Sequence, residues 1–140
     1  MKERTSSAEW KGGLKRGKGN ISLGSGEYEG HYSFPSRFKE GEGTNPEELI
    51  GAAHAGCFSM ALAMILEEMG YEPKSIETDA TVSLDEKLDV PEISSVSLST
   101  RASAPEISQE DFQKAAEEAK ENCPVSKALD VPISLEAELV

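Results

Sequence analysis

Two cysteines are the only thiols in the 140-residue sequence, and they stand in different settings. Cys57 lies in the middle of a long apolar run from Leu49 to Leu66. A free cysteine in such surroundings ordinarily behaves as a small hydrophobe, its thiol kept protonated by poor solvation. Cys123 precedes Pro124 at a break in a helical pattern. There it is either an ordinary cysteine at a helix break or the cap of a new helical turn, where a thiolate would meet unpaired amides and a positive dipole end. If the fold brings the two together they make a redox pair, one attacking and the other resolving, with an outside reductant restoring the dithiol. Their separation in sequence neither requires nor forbids that contact.

To react in an apolar setting, Cys57 needs a cation to stabilise its thiolate. Arg37, in Ser36-Arg37-Phe38, is the first candidate and Arg16 the second; the ordinary role of each is a surface charge. Glu47 can hold such an arginine through a bidentate pair. Glu47 precedes Cys57 by ten residues, on a similar side of one helix but about 15 Å away along its axis. It cannot touch Cys57 of its own helix. It can meet an arginine reaching between them, or Cys57 of an antiparallel partner helix. His54 stands one turn before Cys57 on the same face. That allows a Cys-His nucleophile arrangement, against the ordinary role of a hydrogen-bonded core or interface histidine. Two cysteines and two histidines, widely scattered, give no zinc-finger spacing, and neither a metal nor a cofactor is expected.

The elements that must position these residues centre on one helix. Thr44 or Asn45 can cap it, Pro46 suits its first position, Glu47 and Glu48 favour its positive end, and Gly70 stops it. It is apolar on every side for about five turns, which predicts burial all round. His54, Ser59, two glycines and acidic flanks argue against a membrane span. A chain of this length has little material to wrap such a helix, so a second copy is expected to cover the remaining face, giving a homodimer. Small residues at Ala52, Ala53, Ala55, Gly56, Ala61 and Ala63 permit close approach.

Around this helix the pattern is α+β. Residues 1–7 read as a loose terminus. Leu14 to Leu23 reads as extended chain, Gly24-Ser25-Gly26 as a turn, Tyr28 to Phe34 as a hairpin partner, and residues 39–46 as a flexible loop. Period-two alternation marks strands from Ser75 to Leu84 and from Ile93 to Ala102, both read as antiparallel, and a closing strand from Val131 to Leu139. Ser108 caps a helix whose Phe112, Ala115, Ala116 and Ala119 share one face, and Pro124 starts a further helical turn. The order β-β-β-α-β-β-α-β, without repeat or linker, predicts a single domain over 1–140 with a mainly antiparallel sheet.

Fourteen basic against 26 acidic residues give a net charge of −12. That argues against sequence-independent nucleic-acid binding, which needs clustered cations, and against docking on anionic lipid. Two cysteines are too few for a disulfide scaffold. The polar start, Met1 to Ser7, carries no export signal, so a cytoplasmic location is expected.

Two motifs carry a family likeness. The block from Gly43 to Leu62, containing Asn45-Pro46-Glu47-Glu48-Leu49 and Ala53-His54-Ala55-Gly56-Cys57-Phe58, resembles the OsmC/Ohr family of osmotically inducible and organic-hydroperoxide-resistance proteins. Asn122-Cys123-Pro124-Val125-Ser126-Lys127-Ala128-Leu129 is similar to the family's second cysteine motif. Trp10-Lys11-Gly12, Lys15-Arg16-Gly17-Lys18-Gly19 and Ser36-Arg37-Phe38 also fit, and the likeness runs over residues 8–139. His54 and Ser36-Arg37-Phe38 resemble the OsmC branch more than the Ohr branch. The resemblance implies an OsmC-like fold, an intertwined homodimer with two central helices wrapped by sheets from both chains. It implies a thiol-dependent peroxidase for oxidative or osmotic stress defence, preferring organic hydroperoxides to hydrogen peroxide. Cys57 matches the peroxidatic position, Cys123 the resolving one, and Glu47 the carboxylate that orients an arginine. Arg37 is the arginine typical of the OsmC motif, and Arg16 matches the Ohr position. The reductant implied is a dithiol, such as a dihydrolipoyl protein. Two other readings of the residues stay open: a non-catalytic dimer that binds a small apolar ligand or buffers thiols, and a Cys-His hydrolase.

Overall fold

Cap and turn chemistry sets most element boundaries in the computed structural model, which describes residues 1–140. The chain forms two compact units, Met1–Leu49 and Ile50–Val140.

In the first unit β1 (Ser6–Lys11), β2 (Lys18–Leu23) and β3 (Glu29–Tyr32) make an antiparallel sheet in that order. Gly19 stands opposite both Trp10 and Tyr32. Its missing side chain lets the two rings meet with centroids 5.3 Å apart; a Cβ there would collide with both. Two expectations need correction. β1 already begins at Ser6, so residues 6 and 7 belong to the sheet rather than to a loose end. Extended chain resumes only at Lys18, because residues 14–17 form a turn closed by the Gly17 N–H donating to the Gly13 carbonyl at 2.7 Å. A short helix, α1 (Phe34–Phe38), follows β3 where no helix was expected. Ser33 and Ser36 form a reciprocal capping box around it, and Pro35 occupies its first turn. The next loop is pinned by the Gly41 N–H to the Pro35 carbonyl and the Thr44 N–H to the His31 carbonyl. Gly43, at φ +118, makes the close approach to the His31 carbonyl possible.

α2 (Pro46–Glu68) begins at the end of the first unit and supplies the second unit's central helix. Asn45 caps it, its Oδ1 accepting the Glu48 N–H at 2.7 Å. Gly70, at φ +93, follows its last turn, and the Tyr71 N–H closes on the Leu66 carbonyl at 2.8 Å. Behind it lie β4 (Ser75–Asp85), β5 (Glu92–Ser103), α3 (Gln109–Asn122), α4 (Pro124–Ala128) and β6 (Ile133–Leu139). β4 and β5 pair antiparallel, as expected, with an irregularity at Ser83/Leu84. β6 pairs parallel to β5. Alternation fixes which residues face the core but not strand direction; the crossover through α3 and α4 returns the chain in the parallel sense.

One core holds this unit: Phe58, Leu62, Ile65 and Leu66 of α2 with Val96, Leu98 and Ala102 of β5 and Phe112, Ala115, Ala116 and Ala119 of α3. Ser59 Oγ donates to Thr78 Oγ1 at 2.8 Å, and Thr78 bonds Thr100 at 2.9 Å, tying α2 to both strands. Gly51 gives the Ala80 carbonyl room; a Cβ would sit 3.2 Å from it. The expected burial of α2 on every side does not hold within one chain. Its opposite face carries Ala52, Ala53, Gly56, Met60 and Met64 in the open, with Met60 77% and Met64 58% exposed.

Candidate active site

The second cysteine is placed by a helix break. The Cys123 N–H donates to the Ala119 carbonyl at 3.0 Å and so ends α3, while its side chain caps α4. Pro124 at the first position of α4 has no N–H to leave unpaired, and the Ser126 N–H reaches the Cys123 sulfur at 3.4 Å. The Ser126 hydroxyl lies 3.3 Å from the same sulfur. Cys123 is wholly buried.

Cys57, one turn past His54 on α2, is half-buried. Both cysteines are free thiols, and they lie close enough for each to shift the other's acidity. The structure therefore brings together two residues that sequence alone could not join.

Their environments push their acidities apart. Burial raises the Cys57 pKa, the Val125 N–H works against it, and the Cys123 thiol raises it further. Burial also acts to raise Cys123, but the Ser126 hydroxyl, the Ser126 N–H, the Cys57 thiol and the Val125 N–H together outweigh it, and its pKa is lowered. Of the two, Cys123 is the more acidic thiol. Cys57 consequently still requires a cation to act as a nucleophile.

His54 takes the ordinary role of a core histidine. It is wholly buried, and its Nε2 lies 2.7 Å from Ser126 Oγ. Burial lowers its pKa, so the ring is neutral. Its partner is Ser126 and not Cys57, which removes the Cys-His hydrolase arrangement. Ser126 is the member of the site that sequence reasoning missed. The signal was there: Cys123 and Ser126 stand three residues apart around Pro124, the spacing of a helix cap and the residue whose N–H it accepts.

In the first unit the capped start of α2 and the short α1 place a second pair. Arg37 Nε donates to Glu47 Oε1 at 2.9 Å. Glu47 is buried, and its Oε2 has no hydrogen-bond partner. The expected bidentate pair is thus a single-point one. Phe38 fixes the guanidinium from the other side, its ring centroid 5.3 Å from the central carbon. Arg37 lines a cavity of about 230 Å³ with Trp10, Leu14, Tyr32, Phe34 and Phe38. Arg16 lies exposed at the β1–β2 turn, away from any such partner. Two pairs result, Cys57 with Cys123 and Arg37 with Glu47, each within its own unit.

Comparison with known proteins gives a consistent result. The profile of the OsmC-like protein family matches residues 39–138. Peroxiredoxin OsmC of Escherichia coli K12 is 47% identical over 134 residues, covering 94% of this chain and 93% of that protein. Organic hydroperoxide resistance protein-like 1 of Staphylococcus epidermidis is 33% identical over 109 residues, covering 76% and 77%. The crystal structure of the organic hydroperoxide resistance protein OhrB of Bacillus subtilis superposes with a TM-score of 0.68 at 27% identity, covering 97% and 98%. An OsmC-like protein of unknown function from Vibrio cholerae shares the fold, with a TM-score of 0.77 at 17% identity over 98% and 99% of the two chains.

Proposed function

The chain belongs to the OsmC/Ohr family, on its OsmC branch, and from that membership we propose that it is a thiol peroxidase reducing organic hydroperoxides to alcohols. Membership places it among peroxiredoxin-like redox proteins. The observation that supports the finer reading is that two free thiols 66 residues apart in sequence, one buried and one half-buried, lie near enough for each to shift the other's acidity. That proximity weighs against a dimer that merely binds an apolar ligand or buffers thiols.

The Cys57 thiolate attacks the distal peroxide oxygen. The O–O bond breaks, the alkoxide leaves and takes a proton to become the alcohol, and Cys57 becomes a sulfenic acid. Cys123 attacks that sulfur, an S–S bond forms and water departs. A dithiol, such as a dihydrolipoyl protein, then reduces the disulfide by exchange. Met60, one turn past Cys57 and exposed, favours an alkyl peroxide over a small polar one, whereas Phe58 and Leu62, expected to do the same, are wholly buried in the core.

The cation is assigned to Arg37, held by Glu47, with Arg16 as the second candidate. Only Nε of Arg37 bonds the carboxylate, which leaves the remaining guanidinium N–H groups for a peroxide oxygen. Glu47 stands about 15 Å ahead of Cys57 along α2. We therefore assign the Arg37–Glu47 pair of one copy to Cys57 of a second, with the two α2 helices antiparallel. The open stripe of Ala53, Gly56, Met60 and Met64 supports that homodimer: it is apolar, continuous and lined by small residues. One equivalent of cumene hydroperoxide should convert the free thiols to an intramolecular Cys57–Cys123 disulfide, found by peptide mass spectrometry. Oxidation of either cysteine alone as the end product would contradict the pairing.

A further inference from the structure

Behind Cys123 lies a chain of polar groups that the peroxidase reading does not use. His54 Nε2 is 2.7 Å from Ser126 Oγ, and Ser126 Oγ is 3.3 Å from Cys123 Sγ. All three residues are buried, and His54 and Cys123 are wholly so. A neutral imidazole has one N–H and one bare nitrogen. Nδ1 of His54 is buried without a partner. An orphaned N–H in the interior is costlier and rarer than an unused acceptor, so the proton belongs on Nε2. His54 then donates to Ser126, whose hydroxyl proton is left to point at the Cys123 sulfur.

We propose that His54, acting through Ser126, is a positioning residue that holds Cys123 as a thiolate ready to resolve the oxidised Cys57. The inference rests on the peroxidase reading for its purpose but not for its geometry. Once Cys57 is a sulfenic acid it is no longer a thiol competing with Cys123, and the donors around Cys123 set its ionisation. Those donors are the Ser126 hydroxyl and the Ser126 and Val125 N–H groups. The titratable neighbours from α2 are Cys57 and His54. The charges on the last turn of α3 are Lys120, paired with Glu117 at 2.8 Å, and the exposed Glu121, and on α4 the exposed Lys127. The remaining packing, from Phe112, Ala116 and Ala119 of α3 and Val96 and Leu98 of β5, is apolar. In the resolving step the Cys123 thiolate attacks the Cys57 sulfur, the S–S bond forms, the S–O bond breaks, and hydroxide leaves and takes a proton from solvent. A thiolate already formed makes this step fast and shortens the life of the sulfenic acid, which a second peroxide would otherwise oxidise irreversibly.

The test reads the Cys123 thiolate by its ultraviolet absorbance during a pH titration of the Cys57→Ser chain, which needs no peroxide and no access to the buried sulfur. Adding Ser126→Ala should move the midpoint up by about one pH unit, the worth of one charge-assisted hydrogen bond. His54→Leu should move it in the same direction, and His54→Gln, which restores an N–H near the Nε2 position, should bring it back. Unmoved midpoints in both Ser126→Ala and His54→Leu would overturn the proposal, as would equal midpoints for Leu and Gln at position 54. With Cys57 restored, the His54→Leu chain given cumene hydroperoxide should accumulate dimedone-trapped Cys57 sulfenic acid above the parental level. Absence of any Cys57 sulfenic acid in the parent and in a Cys123→Ser chain would instead count against the peroxidase reading and leave the titration result standing.

Discussion

Arg37 donates to Glu47 through a single N–H at 2.9 Å, and the other carboxylate oxygen of Glu47 is buried with no partner. The pair joins a five-residue helix to the first turn of a 23-residue one, so it fixes the direction of the arginine as much as its charge. Lysine in its place would keep the charge but lose the planar fork and the stacking on Phe38. Arg37→Lys is expected to lower kcat/KM for an organic hydroperoxide at least about tenfold, the loss of about 1.4 kcal/mol of transition-state stabilisation. Arg16→Lys should change it far less. Steady-state kinetics on the two variants distinguishes the candidates.

Removing the arginine altogether should cost stability through Glu47. Arg37→Met leaves a buried carboxylate without its charge partner, whereas Glu47→Gln leaves a half-exposed arginine that water can solvate. Because the arginine side chain is 37% exposed, the loss is discounted to about 1–2 kcal/mol for Arg37→Met and less for Glu47→Gln. Urea unfolding midpoints of the two variants give the order directly.

His54 makes stability depend on pH with a definite sign. Burial lowers its folded pKa below the ordinary value near 6.5, so the unfolded chain binds the extra proton first as pH falls. The contribution is fully present above that ordinary value and is lost as pH drops toward the lowered folded one. The unfolding midpoint should therefore fall on going from about pH 7 to pH 5, and His54→Leu should flatten that part of the profile. Thermal melts across this range provide the check.

The open face of α2 should be the dimer interface. Met60 is 77% exposed in the single chain, so Met60→Asp should fold normally while placing a charge in a buried apolar seam. Sedimentation should show a dimer for the parent and a monomer for Met60→Asp. Peroxide turnover should be lost with the dimer, because Arg37 and Glu47 then no longer reach a partner's Cys57.

Much of this was legible in the residues. Asn45-Pro46-Glu47-Glu48 and Gly70 mark the ends of α2 because capping is local chemistry, and the alternation from Ser75 to Leu84 and from Ile93 to Ala102 marks β4 and β5 because a strand's faces repeat every second residue. β6 alternates just as clearly, yet its parallel direction depends on the crossover and not on its own residues. α1 is not legible from periodicity because five residues give none, although Ser33, Pro35 and Ser36 carry its cap.

The site divides in the same way. That Glu47 and Arg37 should pair follows from their chemistry, but only the fold shows that one N–H is used. His54 reads as a candidate neighbour of Cys57 from helix spacing alone. The fold turns it instead to Ser126, 72 residues on, because that hydroxyl is the polar group available where the ring is buried. The excess of apolar surface on α2 was visible in its composition, while the face it would leave open was not.

The proposed peroxidase chemistry turns on Cys57 as the attacking thiol. Dithiol-dependent consumption of cumene hydroperoxide by the parental chain and by Cys57→Ser, with hydrogen peroxide run alongside, tests that role. The parent should turn over peroxide, faster with the organic one, and Cys57→Ser should not, despite an unchanged circular dichroism spectrum. Consumption by Cys57→Ser at the parental rate would contradict it.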